Sequence, residues 1–387
     1  MEKTMAQLRD LAKTLGFRDL RVTAAVETKG FGRLLEWLES GFAGEMNYFQ
    51  NRLAAYRHPD GVMQGVRTIV VLTLPYPSSV GGKSPVGQGR TARYTWLGGD
   101  YHDLIHAKLK SLSKKLAELH PACHVRGVVD TAPLLEREFA QLAGIGWQAK
   151  NTLVINKFAG SYFFLACLLT DLDLPIDQPQ ETDHCGSCRR CLDACPTDAF
   201  PQPGVLDATR CISYLTIEHR TSIPLSLRPG IGDWVFGCDV CQEVCPWNRP
   251  ERLARLGTAT ETSNSTWGGE QLGRMDLASL FDMNEQQFRS RFRKTPMWRI
   301  RRRGLLRNAA IVLGNAGCET SIDALTKGIV DEEPLVRAAC VWALRQIGGE
   351  RAEKILGRQQ VLEQDADVLA EFAPKPFPES PGAHNGQ

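Results

Sequence analysis

The sequence predicts an α+β protein in three parts: an N-terminal α/β domain, a compact cysteine-rich domain, and a set of C-terminal helices. Three observations predict it. Strand-like and helix-like stretches alternate through the first part of the chain, eight of the twelve cysteines fall between Cys185 and Cys245, and a helical pattern at Leu306–Gly314 returns at Val336–Leu344.

The elements of the first part carry local stop signals. Met5 to Leu15 has apolar residues at helical spacing and ends at Gly16, whereas Thr68 to Leu74 is rich in β-branched residues and ends at Pro75. Tyr101 to Leu119 reads as an amphipathic helix stopped by Pro121. Val125 to Val129 reads as a buried strand running into Asp130-Thr131-Ala132-Pro133, and Leu134 to Ala143 as a helix closed by Gly144. Two further strands, Thr152 to Ile155 and Tyr162 to Leu169, flank Lys157-Phe158-Ala159-Gly160, which has hairpin character. The Gly-, Ser- and Pro-rich run 76–92 is a loop, and a loop that long in a compact domain is functional or mobile.

Cys185-x-x-Cys188-x-x-Cys191-x-x-x-Cys195-Pro196 is the bacterial ferredoxin pattern for cubane iron–sulfur clusters. Three thiolates at two-residue spacing wrap one cubane, and the fourth cysteine serves the other cluster. The second run, Cys238-x-x-Cys241-x-x-x-Cys245-Pro246, lacks its first member because Val235 stands there, and Cys211 is the replacement. One [4Fe-4S] cluster then takes Cys185, Cys188, Cys191 and Cys245; the other takes Cys195, Cys211, Cys238 and Cys241. Paired zinc ribbons also use C-x-x-C turns, yet they need neither the third cysteine nor the prolines. A disulfide framework fits less well still: the chain opens MEKTMAQLRDLAKTLG, without an apolar signal core, and is too long to need staples. These features point to the reducing cytoplasm, and no apolar stretch is long enough to span a bilayer.

A net charge of +2 leaves the whole chain nearly neutral, so only the distribution of charge speaks to partners. From Arg289 to Arg307 stand nine Lys or Arg and no acid, interleaved with Phe292 and Trp298. Such a block can hold nucleic-acid phosphates, with aromatics for stacking, or be a solvated face beside a domain boundary. The polar stretch ETSNSTWGGEQ before it reads as a linker. The repeated pattern after it, with small residues on one face and branched apolar ones on the other, suits either a short HEAT-like solenoid or an ordinary helical hairpin. The Pro- and Gly-rich tail from Pro374 has the composition of disorder.

No phosphate-cradling glycine loop, dinucleotide fingerprint, H-E-x-x-H or G-x-S-x-G is present. Asp130 is the most informative acid of the first domain. At the end of a strand it is placed either to meet a ligand or to cap the helix that follows Pro133.

Four segments precede the paired cysteine runs in order: Tyr56-Arg57-His58-Pro59; Ala92-Arg93-Tyr94 with Gly99-Asp100-Tyr101-His102; Val129-Asp130-Thr131-Ala132-Pro133-Leu134-Leu135-Glu136; and Gly144-Ile145-Gly146-Trp147-Gln148-Ala149-Lys150-Asn151-Thr152. Together they resemble the epoxyqueuosine reductase family from the N-terminus through Pro250, with HEAT-like C-terminal helices as in many members. Ala149 departs from the glycine expected in G-W-x-G-K-N. The resemblance implies a cobalamin-binding catalytic domain at 1–178, a ferredoxin-like two-cluster domain at 179–250, a basic helical linker at 251–300, HEAT-like repeats at 301–366 and a disordered tail at 367–387. It implies a reductive deoxygenation of epoxyqueuosine to queuosine at the wobble position of a tRNA, on a monomer fed by an external flavodoxin- or ferredoxin-like donor. Asp130 is then the acid, a role that needs it protonated near neutral pH. Arg57, Arg93, Tyr94, Lys150, Asn151, Ser161 and Ser213 are then candidates for holding the cofactor together with Asp130. A reductive dehalogenase would share the cobalamin and the clusters but is typically exported. A plain electron carrier would leave the first domain without a task.

Overall fold

The computed structural model describes residues 1–76, 82, 84–255 and 273–373. Its strands are β1 (Asp19–Ala24), β2 (Thr68–Pro75), β3 (Gln88–Thr91), β4 (Val125–Val128), β5 (Trp147–Gln148), β6 (Val154–Ile155), β7 (Phe163–Thr170), β8 (Trp234–Phe236) and β9 (Arg274–Asp276). The principal sheet has the order β1-β2-β7-β4 and is antiparallel at every pairing. Its two central strands are apolar on both faces because both faces are covered. Val70 and Leu72 of β2 and Leu168 of β7 face the helices Glu2–Thr14 and Tyr101–Leu119, which bring Met5 and Leu8, and Ile105, Leu109 and Leu112. Ile69, Val71 and Leu169 face the helix Glu136–Leu142 through Phe139 and Ala140.

The helical and strand readings of 5–15, 68–74 and 101–119 agree with these elements to within a few residues. Gly16, at φ +85°, ends the first helix as a residue with a Cβ would not. Three local readings change. β4 is an edge strand rather than a buried one, pairing only with β7, and its Val125 and Gly127 are half-buried and its Arg126 exposed. The following helix starts at Glu136 behind Leu135, which makes no side-chain cap, so Asp130 lies outside the helix and caps nothing. The strands around residue 157 do not form a hairpin with each other. β6 pairs with β5, β7 joins the principal sheet, and a single Asn156–Gly160 bridge closes the turn.

A second sheet, in the order β8-β3-β9, draws its strands from three distant segments, with β3 parallel to β8 and antiparallel to β9. Part of the loop expected at 76–92 is therefore strand, while 77–81 and 83 lie outside the described residues. One apolar core runs from Ala208 and Trp234 through Met275 and Phe288 to Leu305, Val336 and Val368. Residues 273–300, expected within a linker, are thus part of this core; the polar stretch of that linker lies outside the described residues. The repeated helices are Arg301–Ala316 and Pro334–Ile347. They meet closely at Gly314, where an added Cβ would come 2.9 Å from Ala343 Cα. A helix at Ala366–Phe372 occupies the start of the expected tail, because Val368 is buried and Glu371 is paired with a buried Arg228; 374–387 lie outside the described residues. No helix among the described residues is long and apolar enough to cross a membrane.

Candidate active site and cluster loops

Asp130 sits in the turn after β4, and what surrounds it comes from the start of the 101–119 helix. Asp100 caps that helix by accepting from the His102 amide at 3.0 Å, and the same oxygen lies 2.7 Å from His102 Nδ1. This turns His102 toward Asp130, with Nε2 2.9 Å from Oδ1. Tyr101 donates its hydroxyl to Asp130 Oδ2 at 2.5 Å. The Tyr101 ring is stacked on Phe164 with centroids 4.4 Å apart, which fixes the hydroxyl. Burial pushes the Asp130 carboxyl up, but His102, Tyr101 and the more distant Arg299 outweigh it, and its pKa falls below the ordinary carboxylate range. Burial likewise opposes a charge on His102, yet Asp130 and Asp100 hold its pKa above the usual imidazole value. Both shifts favour a carboxylate on Asp130 and a proton on His102, whereas the role read from the sequence needs a neutral acid.

Asp130 opens on a cavity of ≈ 140 Å³ walled by Tyr76, Tyr101, Phe163 and Phe164, with Glu136, Arg137, Ser161 and Gln242 as its polar members. Glu136 is a second acid in the same space. Burial, and then the charge of Asp130, push its carboxyl up to about 7. Gln242 belongs to the short helix Val240–Glu243, one residue from Cys241, and its amide donates to Ser161 Oγ at 3.0 Å. The cavity therefore lies between the antiparallel sheet and the second cysteine loop.

The two cysteine loops are local copies of each other. Each places a four-residue helix, Arg190–Asp193 or Val240–Glu243, across its Cys-x-x-Cys segment, and the two helices pack together. The eight thiols lie close enough to feel one another, both within each expected set and across them, since Cys191 acts on Cys241. Burial pushes Cys245 up to about 11, with Cys191, Cys185 and Cys188 adding to the effect. Burial also raises Cys238, with Cys241 and Cys211 beside it, and Cys211 in turn feels Cys195. Cys211 precedes the helix Ile212–Ile217, whose Ser213 and Tyr214 amides point at its sulfur. A helix N-terminus is a favourable place for a thiolate. Trp147 Nε1 lies 3.5 Å from Cys185 Sγ, and the Ala199 amide 3.4 Å from Cys195 Sγ. Such donors offset the charge of sulfurs that hold an iron–sulfur cluster. Among the described residues no three of His, Cys, Asp or Glu converge as on a single ion. A cubane, which spreads its four thiolates over four irons, asks for a wider ring.

The remaining predicted residues divide by position. Ser161 lines the cavity, and the Tyr94 ring stands edge-on to Tyr101 at 5.8 Å. Arg93 is buried among carboxylates, its amide and guanidinium reaching Asp239 at 2.8 and 3.1 Å and its guanidinium reaching Glu243 at 2.8 Å. Lys150 Nζ donates to the Gly186 and Cys188 carbonyls, and Asn151 to the Cys241 carbonyl at 3.4 Å. These three clamp the cluster loops onto the first domain. Ala149 is buried and takes no left-handed φ, so the absent glycine imposes no strain. Arg57 is exposed and pairs with Glu27 at 3.0 Å, away from the cavity lining. Within the basic block, Arg302 is buried against Asp331, and Arg307 is buried with its donors on the carbonyls of Leu215, His219 and Thr221. Arg289, Arg293, Lys294, Arg299, Arg301 and Arg303 are exposed, and Arg301 lies 4.2 Å over Trp298. Tyr101, His102, Glu136, Gln242 and Arg299 were not singled out from the sequence. For Tyr101 and His102 the signal was present in the Asp100-Tyr101-His102 helix start, for Glu136 in the segment that begins at Val129, and for Arg299 in the basic block; nothing local marks Gln242.

Comparison with known proteins converges on one family. A family model described as "Epoxyqueuosine reductase QueG, DUF1730" matches residues 57–131, a "4Fe-4S double cluster binding domain" matches 184–248, and "HEAT repeats" match 302–373. The epoxyqueuosine reductase of Pseudomonas aeruginosa is 40% identical over 350 residues, covering 88% of this chain and 94% of that protein. That of Escherichia coli is 36% identical, covering 86% of each. Among solved structures, an epoxyqueuosine reductase with an epoxyqueuosine-modified tRNA-Tyr stem loop superimposes with a TM-score of 0.86 at 28% identity, over 96% of this chain and 97% of the other. A Bacillus subtilis epoxyqueuosine reductase, described with an aspartate catalytic loop swung out of the active site, gives a TM-score of 0.84 at 28% identity over 96% of this chain and 97% of that one.

Proposed function

The chain belongs to the epoxyqueuosine reductase family, and from that premise we propose that it is the oxidoreductase that converts epoxyqueuosine to queuosine at the wobble position of a tRNA, with cobalamin beside Asp130, the ≈ 140 Å³ cavity being too small to enclose it. The observation that carries this reading is that one cavity is lined both by Asp130 and by Gln242, the neighbour of cluster ligand Cys241. A redox group at that cavity would touch the electron supply on one side and the acid on the other. Aromatic walls with a polar rim also suit a corrin, which is a flat apolar macrocycle fringed with amides.

When bound, the clusters and the cobalamin supply single electrons and a low-valent cobalt for reductive attack on a strained epoxide carbon. The protein's own residues do the rest. Ser161 and Tyr94 would help to hold the corrin, with Ser213 beside the cluster domain, while Lys150, Asn151 and Arg93 keep the cluster loops against the first domain. Arg57 stands further out, with its ion pair to Glu27. Tyr101 and His102 aim the Asp130 carboxyl, which takes up a proton and gives it to the departing oxygen. The exposed arginines from 289 to 303 meet tRNA phosphates, and Arg299 carries that basic surface up to Asp130. Electrons arrive from an external flavodoxin- or ferredoxin-like donor, and the enzyme acts as a monomer in the cytoplasm.

The test is nucleoside analysis of tRNA. A strain lacking the gene should accumulate epoxyqueuosine, and protein loaded with both clusters and cobalamin should convert it to queuosine when given a one-electron reductant. Unconverted epoxyqueuosine under those conditions would sink the reading.

A further inference from the structure

The proposed reaction has a proton requirement that Asp130 does not meet alone. An epoxide becomes an alkene and water by taking up two electrons and two protons: both C–O bonds break, one C=C bond forms and two O–H bonds form. Asp130 is held as a carboxylate by Tyr101 and His102, so it starts without a proton to give.

Glu136 shares the cavity with it. The two come together because the chain turns between β4 and the 136–142 helix, with the Ala132 amide bonded to the Val129 carbonyl and the Glu136 amide to the Leu134 carbonyl. Among the described residues the Glu136 carboxyl makes no hydrogen bond and no ion pair. Its one cationic neighbour on the same helix, Arg137, is committed elsewhere and donates to the Thr152 carbonyl at 3.0 Å and hydroxyl at 3.3 Å. The other titratable groups facing it are Asp130 from the turn, Tyr101 from the 101–119 helix, Tyr56 from the Leu53–Arg57 helix and Cys167 from β7. None of them brings a positive charge. A carboxyl beside a fixed carboxylate is stabilised in its neutral form, and Arg137, which lines the same cavity and pulls the other way, does not outweigh burial and Asp130. Two acids whose surroundings drive them apart in this way divide the roles of resting base and resting acid.

We propose that Glu136 is the proton reserve of the site, passing its proton to the Asp130 carboxylate, which delivers it to the departing oxygen. This rests on the functional reading above. In each delivery the Glu136 O–H bond breaks, an O–H bond forms on Asp130 and is then broken by the oxygen of the substrate, and Glu136 regains a proton from solvent. Two deliveries release water, and the two electrons come from the one-electron donor through the clusters.

The experiment has two readouts. Infrared titration of the substrate-free holoenzyme should show a neutral carboxylic acid that ionises around pH 7, is lost in Glu136→Gln and persists in Asp130→Asn. Single-turnover deoxygenation of epoxyqueuosine tRNA by Glu136→Gln, with both cofactors bound, should fall by roughly 10²-fold and lose its decline between pH 6 and 8. Glu136→Asp, which keeps an acid, should recover part of the rate and of the pH profile. No turnover by the wild type would overturn the functional reading and this proposal with it. Wild-type turnover accompanied by an unchanged Glu136→Gln rate and pH profile, or by a carboxylic acid signal that survives in Glu136→Gln, would overturn the proposal alone.

Discussion

The Tyr101 hydroxyl donates to Asp130 Oδ2 across 2.5 Å, so the first residue of the 101–119 helix holds the acid in the turn after β4. Because Phe164 stacks on the Tyr101 ring, the sheet itself positions that hydroxyl. The bond stabilises the carboxylate form, and this gives it a measurable consequence.

Removing the hydroxyl in Tyr101→Phe takes one donor from the Asp130 carboxylate, so the Asp130 pKa should rise toward the ordinary range. The acid limb of the single-turnover pH profile should then move to higher pH. An unmoved limb would mean that the hydroxyl does not bond Asp130 in solution.

Asp130→Asn keeps an oxygen that can accept from Tyr101 but has no proton to transfer. Turnover should fall by roughly two to four powers of ten while cobalamin and both clusters stay bound. Since Asp130 caps no helix, Asp130→Ala should lose activity without the ~1 kcal/mol that removing a cap costs. Comparing the melting temperatures of the two variants checks this.

Cys211→Ala should lose one cluster and keep the other, lowering bound iron from about eight to about four per chain. Iron content together with the reduced-state EPR spectrum reads this directly. Unchanged iron would remove Cys211 from the second ligand set.

The basic block should split in two. Arg301→Gln and Arg303→Gln remove exposed charges and should weaken tRNA binding, flattening the dependence of log Kd on log salt by about 0.7–0.9 per lost phosphate contact. Arg302→Gln leaves Asp331 buried without its partner and should instead destabilise the fold by about 3–5 kcal/mol. Equal effects of Arg301→Gln and Arg302→Gln on the melting temperature would contradict the burial difference.

Glu136 also links stability to pH. Its folded pKa of about 7 lies above its ordinary value of 4.5, so between those pH values the folded state holds a proton that the unfolded chain has released. Its contribution is therefore fully present below about pH 4.5, is lost as pH rises toward 7, and changes little above that. The melting temperature of the wild type should fall relative to that of Glu136→Gln from pH 5 to 8 if this slope belongs to Glu136. Parallel curves would assign it elsewhere.

Much of the chemistry was legible in the sequence because it is carried by short spacing. Cys188-x-x-Cys191 and Cys238-x-x-Cys241 each run into a four-residue helix that holds the second cysteine, so the pattern and the local geometry go together. The 101–119 helix was readable for the same reason: Ile105, Leu109, Leu112 and Leu116 repeat at the helical period. Arg93 was harder. In the sequence it is one more arginine near a tyrosine, and only Asp239 and Glu243, more than a hundred residues away, make it a clamp on the cluster loop.

By itself the sequence determined the paired cysteine runs, the order of the parts and the main helices, since each of these is written in short local patterns. Tertiary structure alone decided that Asp130 faces Tyr101 and His102 instead of capping a helix. It also decided that Glu136 stands in the same cavity as Asp130, and that Arg302 is buried while Arg301 is exposed. The expected linker became a strand beside β3 through the same kind of contact. The physical reason is that the charge state of a carboxyl or the exposure of an arginine depends on which distant side chains pack against it, and local periodicity carries no record of those neighbours.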